Sequence, residues 1–232
     1  MFWLAAGAET SHRAWNSRRL RVHATRIGRA ADAQSHAVSR DVDPHGDGVS
    51  IPILETPRLR LRPFTLEDAA LVQQLAGDSR VADTTANIPH PYPDRAAEAW
   101  IATHGSSAIE GDSYTWAIAN LETNELMGCI SLILNRHNGA EMGYWLGVPY
   151  WNRAFMTEAA RAVIEAGFSR LNLHRVVARH FVRNPASGRV MQKVGMTLIG
   201  TMRDSWSKTG VFESETWYEI LSTDSMRTMD ES

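Results

Sequence analysis

The residues from Glu141 to Phe168 have the types and spacing to hold an anion. Met142, Tyr144 and Leu146 alternate with Gly143, Trp145 and Gly147, the period of two that marks a strand. Pro149 has no N–H to give a ladder and ends it. From Phe155 the apolar positions Phe155, Ala159, Ala162, Val163 and Ala166 fall at three- and four-residue steps, one face of a helix. A turn that leads a strand into a helix leaves the first-turn amides unpaired, and the helix dipole makes that end positive. Phosphate is the expected guest. Asn152 lies in the turn, and asparagine is the non-glycine residue that best tolerates positive φ.

Other reactive side chains are dispersed. Cys129 is the single cysteine, so no intrachain disulfide can form. It lies in an apolar strand-like run, where a buried packing role is expected. His174 and His180 share a face of one segment but are six residues apart with no third ligand in register, so no metal site is expected. Walker and dinucleotide glycine patterns are absent from the sequence. A net charge of −2 over 232 residues gives no case for nucleic acid. No window holds the ~18 uninterrupted apolar residues of a membrane span. With nothing favouring an oxidising compartment, a cytoplasmic location is expected.

The elements that must position the turn follow a regular order. Residues 1–50 carry Arg13, Arg18, Arg19, Arg21, Arg26 and Arg29 against Glu9 and Asp32, without a sustained apolar period. They are expected to be a disordered extension, with a transit peptide as the alternative. A domain should then run from 51 to 222, with 223–232 as a tail. Arg58-Leu-Arg-Leu-Arg reads as a strand with Leu59 and Leu61 inward. Thr65-Leu-Glu-Asp68 has capping-box form and opens a helix to about Ala76. Asn87–Pro93 reads as a loop, and Asp94 as the cap of a helix to about Ile109 burying Ala97, Trp100 and Ile101. Strands are expected at Tyr114–Ala119 and Leu126–Leu134, with a two-residue hairpin turn at Asn138-Gly139 before the Glu141 strand. After the central helix, a strand from His174 should lie parallel to the Glu141 strand through a right-handed crossover. Asn184-Pro185 opens the next helix, which Gly195 ends. Strands at about 196–203 and 211–221 close the domain. This is an α/β chain with a mixed sheet.

Glu141 to Gly147, the loop Pro149–Ala154 and Met156-Thr-Glu-Ala159 resemble the acetyl-CoA-binding motif of the GNAT (Gcn5-related) N-acetyltransferases. The likeness is greatest to the RimJ/RimL-like branch, which acetylates the N-termini of ribosomal proteins. It extends over about 55–221, with two departures: Pro149 replaces a polar residue and Asn152 a glycine. The resemblance implies a GNAT fold, in which a mixed central sheet has a splayed parallel strand pair and helices on both faces. It also implies acetyl-CoA as co-substrate, no metal, and direct attack of an amine on the thioester.

In that resemblance the backbone at Leu146, Gly147 and Val148 pairs with pantetheine as an added strand. Asn152, Arg153, Ala154, Phe155, Met156 and Thr157 take the pyrophosphate, with Arg153 adding charge. Asn184 contacts pantetheine, Ser187 returns a proton to the thiolate, and Glu141 is the base. A partly dry cleft would raise the proton affinity of such a carboxylate. Glu141 could equally be an edge-strand carboxylate paired with an arginine, and Ser187 a capping residue. Glu158 reads better as a residue that complements the helix dipole or ties the helix to a loop. Tyr144 reads as core, and Trp206 and Trp217 as packing or as flanks of the substrate mouth.

The acceptor that the resemblance implies first is a protein N-terminal amine. A small amine (polyamine, amino acid or antibiotic) is the alternative, and a non-catalytic acyl-CoA sensor a more distant one. A polyamine would need an acidic pocket, for which Asp78, Asp83 and Glu141 are the available material. Monomer and homodimer are both left open.

Overall fold

Alternation at Leu59 and Leu61 gives the first clear strand, and both side chains are fully buried in the computed structural model. The structure describes residues 51–224 except Arg136 and Thr209; the expected extension 1–50 and residues 225–232 lie outside the described residues. The strands are β1 Leu54–Glu55, β2 Leu59–Arg62, β3 Ser113–Asn120, β4 Leu126–Leu134, β5 Gly139–Leu146, β6 Arg175–Phe181, β7 Thr197–Lys208 and β8 Val211–Leu221. The helices are α1 Ala69–Ala76, α2 Ser79–Asp83, α3 Ala96–Ile101, α4 His104–Glu110, α5 Phe155–Ser169 and α6 Pro185–Lys193. Among the described residues one sheet of eight strands forms, in the order β1-β2-β3-β4-β5-β6-β8-β7. Only β5 and β6 run parallel.

Helices cover both faces. Cys129 and Trp145, opposite one another on β4 and β5, pack with α1 and α3. Leu132, three residues further along β4 and so on the other face, lies under Gly167 of α5. Helix α6 shares that second face: its Ser187 meets Tyr144, the neighbour of Trp145.

Local chemistry explains where the elements differ from the sequence expectation. Asp68 accepts from Thr65 N–H at 2.9 Å as a capping box requires, but the first turn, Leu66–Asp68, is 3₁₀. The expected helix 94–109 is two helices. The Thr103 hydroxyl bonds back to the Trp100 carbonyl at 2.7 Å and competes with the helical ladder there. Arg95, at φ 60°, replaces Asp94 as the cap. The hairpin before β5 is longer than two residues: Asn135 N–H meets the Gly139 carbonyl at 2.9 Å, and the Asn135 side chain accepts from His137 and Gly139 amides. That side chain builds the turn, with Asn138 at φ 51°. Helix α2 was not expected; Asp78 caps it through Arg80 N–H at 2.9 Å. Strand β7 continues past Arg203 through a bulge between Met202 and Trp206.

Gly188 shows how closely α6 approaches β6. A Cβ there would stand 2.6 Å from His180 Nε2, and that ring already stacks on Tyr218 with centroids 5.8 Å apart. Gly188→Ala is therefore expected to lower stability by roughly 1–3 kcal/mol through overpacking. Urea denaturation measures it; an unchanged midpoint would show that the ring yields freely.

Candidate functional site

Strands β5 and β6 pair only at Gly139–Arg175, Ala140–Val176 and Glu141–Val177. Beyond Glu141 they separate. Gly147 N–H donates to Met127 of β4 at 2.9 Å, and alternate residues of a strand turn their backbone groups to opposite neighbours. Tyr144 and Leu146 therefore turn their N–H and C=O toward the gap. The Trp151 indole N–H fills one of these, the Leu146 carbonyl, at 2.6 Å.

At the mouth of the gap the chain makes a 3₁₀ turn at Val148–Tyr150 and bends into α5. Asn152 and Ala154 stand at φ 59° and 61°, so the left-handed tolerance expected of Asn152 is used and Ala154 bears the same conformation. Trp151 through Ala154 are exposed, whereas Phe155 and Met156 point into the core. Phe155 and Met156 can thus offer an incoming group only their first-turn amides, whereas half-buried Thr157 carries a hydroxyl as well. The guanidiniums of Arg58 and Arg153 lie over the Phe155 ring at 4.6 and 4.8 Å; Glu158 balances the charge of Arg58, and Arg153 adds positive charge beside those amides. A cleft of about 290 Å³ opens alongside, between Val148-Pro149 and Gln74, Leu75, Asp78 and Arg80.

Glu158 holds the helix in place. Its Oε1 accepts from the Thr56 hydroxyl at 2.6 Å and Arg58 N–H at 3.0 Å, and its Oε2 pairs with the Arg58 guanidinium at 2.6 Å. Partial burial would raise its pKa, but these bonds from Thr56 and Arg58 hold it below the usual carboxylate range. It ties α5 to the segment before β2, the structural reading of that residue.

Two further groups reach the gap from opposite faces of the sheet. On the α5–α6 face, Ser187 Oγ is 2.8 Å from the Tyr144 hydroxyl, which also donates to the Ser187 carbonyl at 3.1 Å. Burial pushes the Tyr144 phenol well up, the Ser187 bond offsetting only part, so it stays protonated. Asn184 caps α6: its side chain accepts from Ser187 N–H and donates to the Thr84 carbonyl, each at 3.4 Å. On the other face, Glu141 Oε1 accepts from Arg179 Nε at 2.8 Å. Arg179 Nη1 bonds Glu215 Oε1 at 2.6 Å, and its guanidinium lies 5.0 and 5.2 Å from the ring centres of Trp206 and Trp217. Burial works against the Arg179 charge, but Glu141 and Glu215 more than offset it.

Residues 58–197 match the family description "Acetyltransferase (GNAT) domain". The chain belongs to the GNAT acetyltransferase family. It is 30% identical over 172 residues to the uncharacterised N-acetyltransferase YoaA of Bacillus subtilis, which covers 73% of this chain and 97% of that protein. The GNAT-family acetyltransferase from Bacillus anthracis has the same fold, with TM-score 0.65 and 23% identity over 73% of this chain and 98% of that one. So does RimJ of Mycobacterium smegmatis in complex with a CoA-disulfide, with TM-score 0.65 and 19% identity over 75% and 88%. The protein is accordingly an acetyl-CoA-dependent N-acetyltransferase.

In this GNAT domain Leu146, Gly147 and Val148 lie at the end of β5 and the turn after it, Asn152 to Ala154 in the bend, Phe155 to Thr157 in the first turn of α5, Asn184 at the cap of α6 and Ser187 within it, and Glu141 where β5–β6 pairing stops. Leu146 differs from expectation in one respect, since its carbonyl is already engaged by Trp151. Glu141 does not stand alone in a dry cleft either; it is 34% exposed and paired with Arg179. Arg179 and Glu215 were missed. Arg179 lies on a strand whose other alternate residues include Arg175 and Val177, and nothing in that pattern marks it. Among the described residues no cluster of three or more His, Cys, Asp or Glu side chains could hold a metal. Burial pushes the Cys129 thiol well up, which fits a packing residue. No described helix is long and apolar enough to cross a membrane.

Proposed function

We propose that the protein acetylates a protein N-terminal amine by direct attack of the amine on acetyl-CoA. The observation that carries the reading is the end of β5–β6 pairing at Glu141. It leaves backbone groups of Tyr144 and the Leu146 N–H turned to the gap, where an amide-bearing chain such as pantetheine can pair with them. The amides from Asn152 to Thr157 then take the pyrophosphate, and the α5 dipole supports the charge. Glu141 accepts the proton of the amine from one face of the sheet. Ser187, held by Tyr144, returns a proton to the leaving thiolate from the other. Asn184 fixes the turn that presents Ser187.

The charges nearby favour a single ammonium over a polyamine. Each carboxylate that could line an acidic pocket is paired: Asp78 with Arg80 at 2.7 Å, Asp83 with Arg183 at 2.7 Å and Glu141 with Arg179 at 2.8 Å. Arg80 hydrogen bonds hold Asp78 low, at a pKa of about 2. A polycation would meet an arginine beside every acid.

The test is thiol release from acetyl-CoA with a panel of N-terminal peptides, spermidine and free amino acids. Turnover is expected with peptides and little with spermidine; the reverse order would replace the acceptor, and binding without any turnover would leave a sensor. Glu141→Gln is expected to lower kcat on the order of a hundredfold, within the range of a general base, with acetyl-CoA affinity kept. An unaltered kcat would remove Glu141 as base.

A further inference from the structure

We infer that Arg179 is the positioning residue that holds the Glu141 carboxylate at the open end of the β5–β6 pair, with Glu215 and the bulge of β7 holding Arg179. This rests on the reading of Glu141 as base.

The cluster is a chain of directed bonds. Ser205, in the bulge between Met202 and Trp206, donates its hydroxyl to Glu215 Oε2 at 2.9 Å. Glu215, 3% exposed, takes Arg179 Nη1 on its other oxygen at 2.6 Å. Arg179 turns Nε to Glu141 Oε1 at 2.8 Å. The indoles of Trp206 and Trp217 lie against the guanidinium, and their own ring nitrogens are buried without partners, so it is their π-faces that engage the cluster.

Two features separate this from an ordinary ion pair. Glu215 alone would neutralise the buried arginine, so the second carboxylate is not needed for charge balance. And Arg179 occupies only one oxygen of Glu141. Among the described residues nothing donates to Oε2, and that oxygen is not enclosed. A planar guanidinium lying against two rings and bonded through Nε fixes where Oε1 stands and leaves the other oxygen to face the amine or a bridging water. A single surface pair could not hold such geometry.

The test is a thermodynamic cycle in steady-state kinetics on the full chain. Arg179→Met/Glu215→Gln removes both buried charges together, so that no lone carboxylate is left inside. It is measured in the native and the Glu141→Gln backgrounds. In the native background kcat is expected to fall about tenfold to a hundredfold, the usual cost of misplacing a reacting group, with acetyl-CoA affinity unchanged. In the Glu141→Gln background it should fall no further, because Arg179 acts through Glu141. An equal loss in both backgrounds overturns the positioning role and leaves Glu141 as base. No loss from Glu141→Gln alone overturns both. Arg179→Lys keeps the charge but cannot span the two carboxylates, and it is expected to lose most of the same activity. Native turnover in that variant overturns the proposal.

Discussion

Ala154→Asp is expected to abolish acetyl-CoA binding while the protein stays folded. The backbone permits so clean an experiment. Ala154 stands at φ 61° in the exposed bend before α5, a conformation that costs alanine roughly 1–2 kcal/mol and that Asp and Asn adopt more readily. The substitution therefore relieves backbone strain while placing a carboxylate among the amides proposed for the pyrophosphate. Two unit charges about 4 Å apart at an effective dielectric near 20 repel by roughly 4 kcal/mol, so affinity should fall at least a hundredfold. Ala154→Asn carries the same backbone preference without the charge, and should bind within a few-fold of the native protein. Calorimetric titration of both variants decides the matter. Native affinity in Ala154→Asp would move the pyrophosphate elsewhere and remove the site assignment from Asn152 to Thr157.

The second large effect concerns stability in mild acid. His104, on α4, is 6% exposed, packed edge-on against Trp100 at 4.5 Å and Phe64 at 5.4 Å, with neither ring nitrogen hydrogen-bonded. Burial lowers its pKa from 6.5 to about 4. Between those two values the unfolded chain holds a proton that the folded protein rejects, so stability rises with pH. Stability contributed by the neutral ring is complete above pH 6.5 and is lost as pH falls toward 4. The loss amounts to roughly 3 kcal/mol at most, at 1.36 kcal/mol for each pH unit. His104→Leu should remove this step and also gain stability at pH 7, since an unpartnered imidazole no longer has to be desolvated. Thermal melts at pH 7, 5.5 and 4.5 compare the two proteins; parallel declines would place the acid sensitivity in other groups.

The strand, bend and helix from Gly139 to Ser169 were legible in the sequence because their causes lie within a few residues. Period two changes to a helical period, Pro149 ends the ladder, and Asn152 accepts the left-handed backbone. The same holds for Asn184 and Pro185 opening α6, where the cap and the missing N–H are adjacent. Elements misjudged from the sequence were also local, but turned on side-chain bonds that residue type does not announce. Thr103 bonds back to Trp100 and divides the expected helix, and Asn135 lengthens the hairpin.

The ion-pair arrangement around Glu141 was not legible, for a different reason. Arg179 is 38 residues from Glu141 and 36 from Glu215, and all three meet only because β6 lies between β5 and β8 in one register. The Trp151 indole on the Leu146 carbonyl and the imidazole enclosed by Trp100 and Phe64 depend likewise on how finished elements stack. Periodicity and turn chemistry are properties of neighbours along the chain, and they determined most of the elements and the left-handed bend before α5. Which charge faces which, and which oxygen of Glu141 is left open, are properties of neighbours in space, and only packing the sheet decided them.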